Sequence, residues 1–572
     1  MLKYLSLFLF LCLSTSLSAQ FYDNHWMVGY AGGNASPPDD SFGVSILSFF
    51  DAELNIENNQ EIDLDFDGSG NSLSDFNGNL VLYSNNLEVR NRYDQLIVNG
   101  FFEQNGDSEK ILPQSFVYLP FNLVDVVHCV QTTYSRGFPQ LGQELSSSLI
   151  NTNGTIGIYE KIENITPDSL STGEMTSCRH ANGRDWWVLG AVANKPIVYS
   201  VLLNPDGATL VDTIDVDYDL RSGLGQSVFS PDGKHFIRVN LVGGADGPDY
   251  LDVFDFDRLT GKLSNHRQKT IGKNASAGGA AISPSSQFLY VTHTNYVYQY
   301  DLWAEDVFAT EDTVAIYDGY RELDFFRTRF YLAQLAPDGK IYINSPTSVT
   351  TLHVIESPDK KGGACDVRQH SIQLPNWNIA TLANHPNYRL GPIDGSPADT
   401  LGIDNLPRAY YRIDRNAEDT LNFHFQDLSF YEAGNWSWTF GDGGSSSDRH
   451  PDHTYAGPGI YEVCLTVSNA LGSDTHCRTI ELGTVSSDDP APLHFSTFPN
   501  PVQDVLVFDL GDYLPLNGQF KLYDAVGREV FTQQVLYRQA RFNLSHLKAG
   551  VYFYSFWDQG REIGRGKVVR GE

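Results

Sequence analysis

At 572 residues the chain is longer than one hydrophobic core serves, and two to four domains are expected. Its 70 acidic against 39 basic side chains give a formal net charge of −31, which argues against nucleic acid as a partner: a polyanion is repelled, and no basic stripe is present to release its counterions. Aromatic residues at 13%, 50 Gly, 26 Pro and few runs of helical period indicate many short strands joined by tight turns.

The first segment reads as a secretory signal peptide, residues 1–19. Lys3 supplies the positive start, Tyr4–Leu13 the apolar stretch, and Ser14–Ala19 the small polar approach to a cut after Ala19. The apolar run is too short for a stable membrane anchor. Cys12 follows Leu11 rather than a small residue, so export without lipidation is expected. No later segment approaches eighteen apolar residues, which predicts no transmembrane span in the mature chain.

A regularly spaced turn organises the next 375 or so residues. Phe229–Asn240 reads FSPDGKHFIRVN, a Pro-Asp-Gly-Lys turn followed by a half-buried strand pattern, and ISPSSQFLYVT and LAPDGKIYINS repeat it. Pro231, Pro284 and Pro337 are each 53 residues apart, and a fixed period of this size marks a repeat architecture whose units bury their apolar faces only against neighbours. Gly183 in HANGRDWWVLG lies 50 residues before Gly233, and Gly78 in DFNGNLVLYSN lies 105 before that. The gap is filled by LPFNLVDVVHCVQTTY, apolar and β-branched around Val126–Val130. Residues 20–395 thus read as a seven-bladed β-propeller, with the last blade expected to close the ring from Phe21–Tyr30 together with Asn376–Leu390. The turn and the period resemble those of WD- and YVTN-like propellers.

Within this region Asp63, Asp65 and Asp67, followed by Gly68, match the start of a calcium loop. No helix flanks them and no Glu stands at the twelfth position, so a strand with its acids facing water, ending in a Gly-Ser-Gly-Asn turn, is the favoured reading. Apart from that calcium candidate no cofactor is implied. Arg179, His180, Arg184 and Asp185 form the densest polar cluster; they fit a site at a propeller mouth, or a turn held by an Arg–Asp pair ahead of a strand that starts at Trp186 and Trp187. No catalytic motif of specificity is present: there is no Gly-x-Ser-x-Gly elbow, His-Glu-x-x-His, phosphate loop or zinc-like Cys spacing. Glu144, Glu174 and Asp246 are scattered acids from which a glycosidase pair would have to be drawn.

Residues 396–407 continue a Pro-, Gly- and Asp-rich stretch that starts at Asn387 and read as a linker. Residues 408–485 then carry Trp436-Ser-Trp438-Thr-Phe440-Gly441-Asp442-Gly443, His453-Thr-Tyr455 and Gly459-Ile-Tyr-Glu-Val-Cys-Leu-Thr-Val-Ser-Asn469. Val463, Leu465 and Val467 supply one inward face, Trp438 and Phe440 another, and Gly441-Asp442-Gly443 a tight turn, together making a small immunoglobulin-like sandwich. This segment resembles the PKD domain, and the resemblance implies an extracellular spacer or interaction module. Cys464 and Cys477 flank a hairpin; with its centre between Ala470 and Leu471 they face each other and are expected to bond. Cys129 and Cys178, in adjacent predicted blades, pair or remain core thiols, and Cys365 is expected to be free.

After a Ser- and Asp-rich linker at residues 486–492, residues 493–572 hold Phe498-Pro499-Asn500-Pro501, Leu522-Tyr-Asp-Ala-Val-Gly527-Arg-Glu-Val530 and Phe542-Asn-Leu-Ser-His-Leu-Lys-Ala-Gly550-Val-Tyr552. This stretch is similar to the C-terminal sorting domain, type A, of the type IX secretion system, and the whole chain resembles surface proteins of Bacteroidetes-type bacteria. The resemblance implies a small C-terminal β-sandwich read by the type IX machinery, and export through the periplasm to the cell surface or extracellular space. Asp-Ser/Thr-apolar triplets at Asp168, Asp212, Asp312, Asp399 and Asp419 resemble the O-glycosylation sites of such bacteria. The combined expectation is an all-β, exported surface binding or adhesion protein whose propeller takes a glycan or protein ligand. A secreted propeller hydrolase acting on polysaccharide or peptide and a structural, gliding-associated component are the alternatives.

Overall fold

In the computed structural model every regular element among the described residues is a β-strand, apart from two 3-10 turns at Val307–Thr310 and Gly362–Cys365. The structure describes residues 21–571 apart from 32–41, 67, 103–113, 122–125, 135–141, 153–155, 172, 221–223, 242–247, 274, 417–418, 483–494, 499–500, 504, 511–512, 514, 516–517, 536–538 and 559–560. The signal peptide expected at 1–19 lies outside the described residues. The chain divides into two compact units, Met1–Ile403 and Asp404–Glu572.

The first unit is a seven-bladed β-propeller. Its sheets are consecutive antiparallel meanders at residues 25–59, 71–101, 116–162, 176–220, 224–273, 278–316 and 333–378, numbered blades 1 to 7; blade 1 has three strands and the others four. Blades 2 and 3 join at their outer strands through one parallel pair, Val98 with Gly157. The recurring turn occupies the same place each time, between the first and second strands. Gly78, Gly183, Gly233 and Gly339 all take φ between +69° and +89° there, and each donates its N–H to the carbonyl three residues back. Ser286 holds the left-handed slot in blade 6 (φ +65°), which is why that copy keeps its phase without glycine. In blade 3 the corresponding connection falls at 122–125, outside the described residues, between Phe116–Pro120 and Val126–Tyr134.

The ring closes through its cores. Side chains alternate along a strand, so successive residues feed the interfaces on the two sides of a blade. Trp186 packs toward blade 3 with Val117, Leu119 and Val130, whereas Trp187 packs toward blade 5 with Phe236, Phe254 and Phe256. In blade 6 Leu289 joins Ile237 and Val253 of blade 5, and Tyr290 joins Ile341 and Ile343 of blade 7. Seven such apolar clusters serve the seven interfaces. The closing one sets Trp26, Val28, Leu47 and Phe49 of blade 1 against Tyr342, Leu352, Val354 and Leu374 of blade 7. The expected mixed blade does not form: Val367–Asn378 pairs only within blade 7, and its end meets blade 1 through side chains, Asn376 Nδ2 donating to Asn58 Oδ1 at 2.9 Å.

Residues 381–392 thread the propeller axis instead of adding a strand. Thr381 accepts from the Gly68 N–H ahead of blade 2, and Asn384 meets the starts of the inner strands: Asn71 Nδ2 donates to its carbonyl (2.8 Å), and its Nδ2 donates to Phe116 O (3.2 Å) and Met175 O (3.4 Å). Tyr388 donates to Tyr118 O midway along blade 3, and Asn387 Nδ2 donates to Pro231 O beyond the end of the inner strand of blade 5. Pro392 leaves against Gly183. Two glutamines bridge inner strands as well. Gln114 exchanges bonds of 2.8 and 2.7 Å with the Ser227 backbone; Gln226 accepts from Ala280 N and Ala333 N and donates to Ala333 O.

The second unit holds two sandwiches. In the first, Tyr411–Arg415, Asn422–Asp427 and Asp452–Thr454 form one sheet; Ser445–Ser446, Asn435–Thr439, Gly459–Ser468 and Ser473–Leu482 form the other. Val463, Leu465 and Val467 point inward with Trp438, Phe440, Phe423 and Phe425. Cys464 lies directly opposite Cys477 and is bonded to it, with Cα atoms 4.1 Å apart; Cys129, Cys178 and Cys365 are buried free thiols. The last sandwich packs Phe508, Phe520, Phe542 and Phe556 between a three-stranded and a four-stranded sheet.

Two measurements probe this packing. Gln226→Leu keeps the bulk but strands the Ala280 and Ala333 N–H groups, and should lower the stability of the propeller by about 2–4 kcal/mol in denaturant titration. Burial holds the imidazoles of His128 and His385 down to about 4 and that of His353 down to about 3, against an ordinary 6.5. The unfolded chain therefore binds more protons than the folded one below 6.5, and the unfolding free energy should fall as pH drops from about 6.5 toward 4. A flat stability profile across that window would contradict the neutral, buried state of these rings.

Candidate functional site

The polar cluster of blade 4 is a turn. Arg184 Nε pairs with Asp185 at 2.7 Å, Asn182 Nδ2 donates to the same carboxylate at 2.7 Å, and Trp186 and Trp187 start the strand. Arg179 is buried against the Trp186 ring (4.1 Å) and donates to the carbonyls of Gly183, Arg184 and Tyr388. His180 turns inward beside Trp187, and burial lowers its pKa. These residues lock the threaded segment to the ring.

Of the scattered acids only Glu174 has a described side chain. Glu174 is buried between Arg238 (2.6 Å) and Asn240 (2.7 Å), Arg238 also pairing with Asp252. Glu144 lies in the strand Gly142–Asn151, and Asp246 is outside the described residues. Asp63 and Asp65 are exposed and alternate with buried Ile62, Leu64 and Phe66 in a segment that pairs with no strand, which corrects the strand reading; Asp67 is outside the described residues. Among the described residues no group of three or more His, Cys, Asp or Glu is placed to hold a metal ion.

The surface feature that stands out is the link between blades 6 and 7. Arg321–Glu322 and Phe326–Arg327 form a two-residue-per-strand hairpin whose tip closes through Phe325 N to Glu322 O at 3.1 Å. Leu323 (φ +51°) and Asp324 (φ +57°) both take the left-handed conformation of a type I′ turn, where Asn-Gly is the ordinary choice. The tip thereby presents Leu323 at 73% and Phe325 at 75% exposure. Its base is pinned at both ends, Tyr317 N to Asn295 O (2.8 Å) and Phe330 N to Thr294 O (3.0 Å). Glu322 accepts from Thr350 N (2.8 Å) and from the Thr350 hydroxyl, and Thr347 Oγ1 donates to Arg327 O (2.9 Å), tying the hairpin to blade 7.

Rings surround this hairpin. Phe326 packs 5.7 Å from Trp377 at the end of blade 7, Phe325 lies 5.1 Å from Phe326, and Tyr320 stacks on His370 at 4.3 Å. Tyr30 in the adjoining part of blade 1 bonds Ser348 at 2.7 Å and packs against half-exposed Phe42. His370 also contacts Asp318 at 2.8 Å; burial raises the pKa of that carboxyl, but the Tyr320 N–H and the imidazole outweigh it, leaving it below the ordinary range. A separate hollow of about 340 Å³, lined by Leu96, Phe101, Tyr159 and Lys161, lies where blades 2 and 3 join. Asn99 and Glu160 also line it.

In the second unit the motif residues are structural. Gly441 (φ +82°) and Gly443 (φ +95°) shape the turn, and a Cβ on Gly441 would meet the Glu462 backbone at 2.6 Å. Asp442 pairs with His453 at 2.8 Å while His453 stacks on Phe440 at 4.0 Å, so the landmark residues hold one another. In the last sandwich Asp524 caps its own hairpin by accepting from the N–H groups of Val526 and Arg528, with Gly527 at φ +82°. Gly550 opens the strand Gly550–Asp558, and Tyr552 donates to Lys548 O. Pro501 is exposed; Pro499 and Asn500 lie outside the described residues.

Comparison with known proteins matches residues 407–483 to the PKD domain and residues 496–569 to the secretion system C-terminal sorting domain. The chain is an exported surface protein. Its PKD domain is 31% identical to the PKD1 domain of the Vibrio cholerae metalloprotease PrtV, a match covering 13% of this chain and 95% of that one at a TM-score of 0.12. A protein named as a 6-phosphogluconolactonase from Bacteroides uniformis is 13% identical over 71% of this chain and 94% of its own (TM-score 0.34). PorZ, a surface component of the type IX secretion system of Porphyromonas gingivalis, is 10% identical over 93% and 69% (TM-score 0.31). No curated protein matches the chain in sequence. The type IX sorting domain directs it to the cell surface or extracellular space, and among the described residues no helix is long and apolar enough to cross a membrane.

Leucine in the left-handed region carries a backbone cost of about 1–2 kcal/mol. Leu323→Gly should therefore raise stability by up to about 1 kcal/mol in denaturant titration. A loss of stability would show that the Leu323 side chain has a packing role that its exposure does not reveal.

Proposed function

We propose that this protein is a cell-surface binding or adhesion protein whose propeller takes a glycan or protein ligand at the hairpin 317–329 and the rings around it. The observation that carries this reading is the tip itself. Two large apolar side chains are held out to solvent on a strained turn whose base is bonded to blades 6 and 7, a combination of rigidity and exposure that folding alone does not require. The rings of Tyr320, Phe326 and Trp377 widen the apolar area into a shallow face, which suits contact with an extended ligand rather than enclosure of a small one.

The filled axis supports the same reading. Residues 381–386 are buried along it, so chemistry drawn from the inner strands would have to compete with the chain's own backbone and amides. In this scheme the PKD domain acts as spacer and the sorting domain as the secretion and surface-anchoring signal. The mouth of the propeller and the calcium candidate Asp63, Asp65 and Asp67 take no part.

The double substitution Leu323→Ser with Phe325→Ser, made in the full chain, should weaken binding to a glycan and surface-protein array by about tenfold or more while the thermal midpoint stays unchanged. Binding at the unsubstituted level would reject the hairpin as the docking face.

A further inference from the structure

The same hairpin carries a charge pattern that its fold leaves unresolved. Arg321 and Arg327 are direct partners across the two strands, and Arg329 lies two residues beyond Arg327. Like charges directly opposite in a ladder destabilise it. Neutralising groups are at hand, yet they are engaged elsewhere: Glu322 accepts from Thr350, and Asp318 accepts from His370 and from the Tyr320 N–H. Among the described residues none of the three arginines forms an ion pair, and Arg329 Nε is buried without a hydrogen-bond partner. All three lie close enough to the Tyr317 phenol to act on its titration, opposing the rise that burial and Asp318 cause. In a chain with 70 acids and 39 bases, three guanidinium groups gathered in nine residues, with no ion pair to the Glu322 or Asp324 carboxylates of the same stretch, call for an external anion.

Resting on the docking role proposed above, we infer that Arg321, Arg327 and Arg329 bind the carboxylate or sulfate groups of an acidic polysaccharide whose sugar rings lie against Tyr320, Phe326 and Trp377. Guanidinium forks match planar carboxylates and sulfates in pairs of hydrogen bonds, and aromatic faces match the apolar faces of sugar rings. A bilayer fits less well. Asp324 sits at the tip between Leu323 and Phe325, and entering hydrocarbon with them would strip a carboxylate of water. A folded protein partner fits less well too, since a stable interface covers about 800 Å² on each side and the hairpin offers two strands of two residues. A few saccharide units match that footprint.

The test uses the immobilised full chain and five probes: polygalacturonate and its fully methyl-esterified form, dextran sulfate and neutral dextran, and phosphatidylglycerol vesicles. The acidic chains should bind about tenfold or more tightly than their neutral counterparts and lose affinity as salt rises. The double variant R321Q/R327Q should lose about tenfold for the acidic probes, with a thermal midpoint equal to or above that of the unsubstituted protein because the cross-strand repulsion is gone. Equal binding of acidic and neutral chains, no binding of either, or an R321Q/R327Q variant that binds as before would overturn the assignment, as would vesicle binding without polysaccharide binding. Should neutral glycans bind and only the Leu323/Phe325 variant lose them, the docking face stands and the anionic ligand falls. Should that apolar variant leave every probe bound as before, the docking face itself is wrong.

Discussion

Seven sheets meeting around an axis bring together seven inner edges, each with backbone N–H and C=O groups that have no strand to pair with. Buried edges of this kind are costly unless every group finds a partner. Here side-chain amides supply part of the answer, Gln114 across to Ser227 and Gln226 to Ala280 and Ala333. The chain's own segment at 381–392 supplies more, donating to the carbonyls of Phe116, Tyr118, Met175 and Pro231 and accepting from the side-chain amides of Asn71 and Gln334. The ring is thus held twice, by apolar interfaces between blades and by a polar seam along the axis.

That seam decides where recognition can occur. With the axis occupied, what remains variable is the set of connections between blades, and these tolerate irregular sequence because the strands beneath them are fixed by packing on both sides. The link from blade 6 to blade 7 uses this freedom. Its two ends are bonded to the Thr294–Asn295 turn, so a strained tip and a pair of facing arginines can persist on it without unravelling the blades.

The repeat was legible in the sequence because the left-handed turn demands particular residues at one place per blade. Gly78, Gly183, Gly233 and Gly339 announce it, and the Pro-Ser-Ser of blade 6 could be aligned by spacing even though Ser286 replaces the glycine. The disulfide was legible for a related reason: a turn centred between Ala470 and Leu471 fixes the register that places Cys464 opposite Cys477. Ring closure was not, since Trp26 meets Tyr342 only through packing between distant segments, and nothing local distinguishes Asn376–Leu390 as strand or thread. Alternation at Ile62–Phe66 suggested a strand, yet the period shows only that one side is buried and not that a partner lies alongside. The hairpin tip was hidden because Leu-Asp stands where turn chemistry leads one to look for Asn-Gly. The signal available was compositional, three arginines in Arg321–Arg329 of a chain this acidic.

The thread also orders the assembly of the fold. Carbonyls of Phe116, Tyr118 and Met175 receive their bonds from residues 268, 270 and 209 positions away, so the polar seam cannot form until the chain beyond blade 7 is present. Such long-range closure is the part of folding that loop entropy makes slow, whereas each blade is a local meander able to form early. Interfaces between successive blades can therefore precede the seam, and the seam then selects the arrangement in which Phe116, Tyr118 and Met175 meet the thread at once. A link such as 317–329 contributes nothing to that selection, which leaves its composition free to answer to a ligand instead.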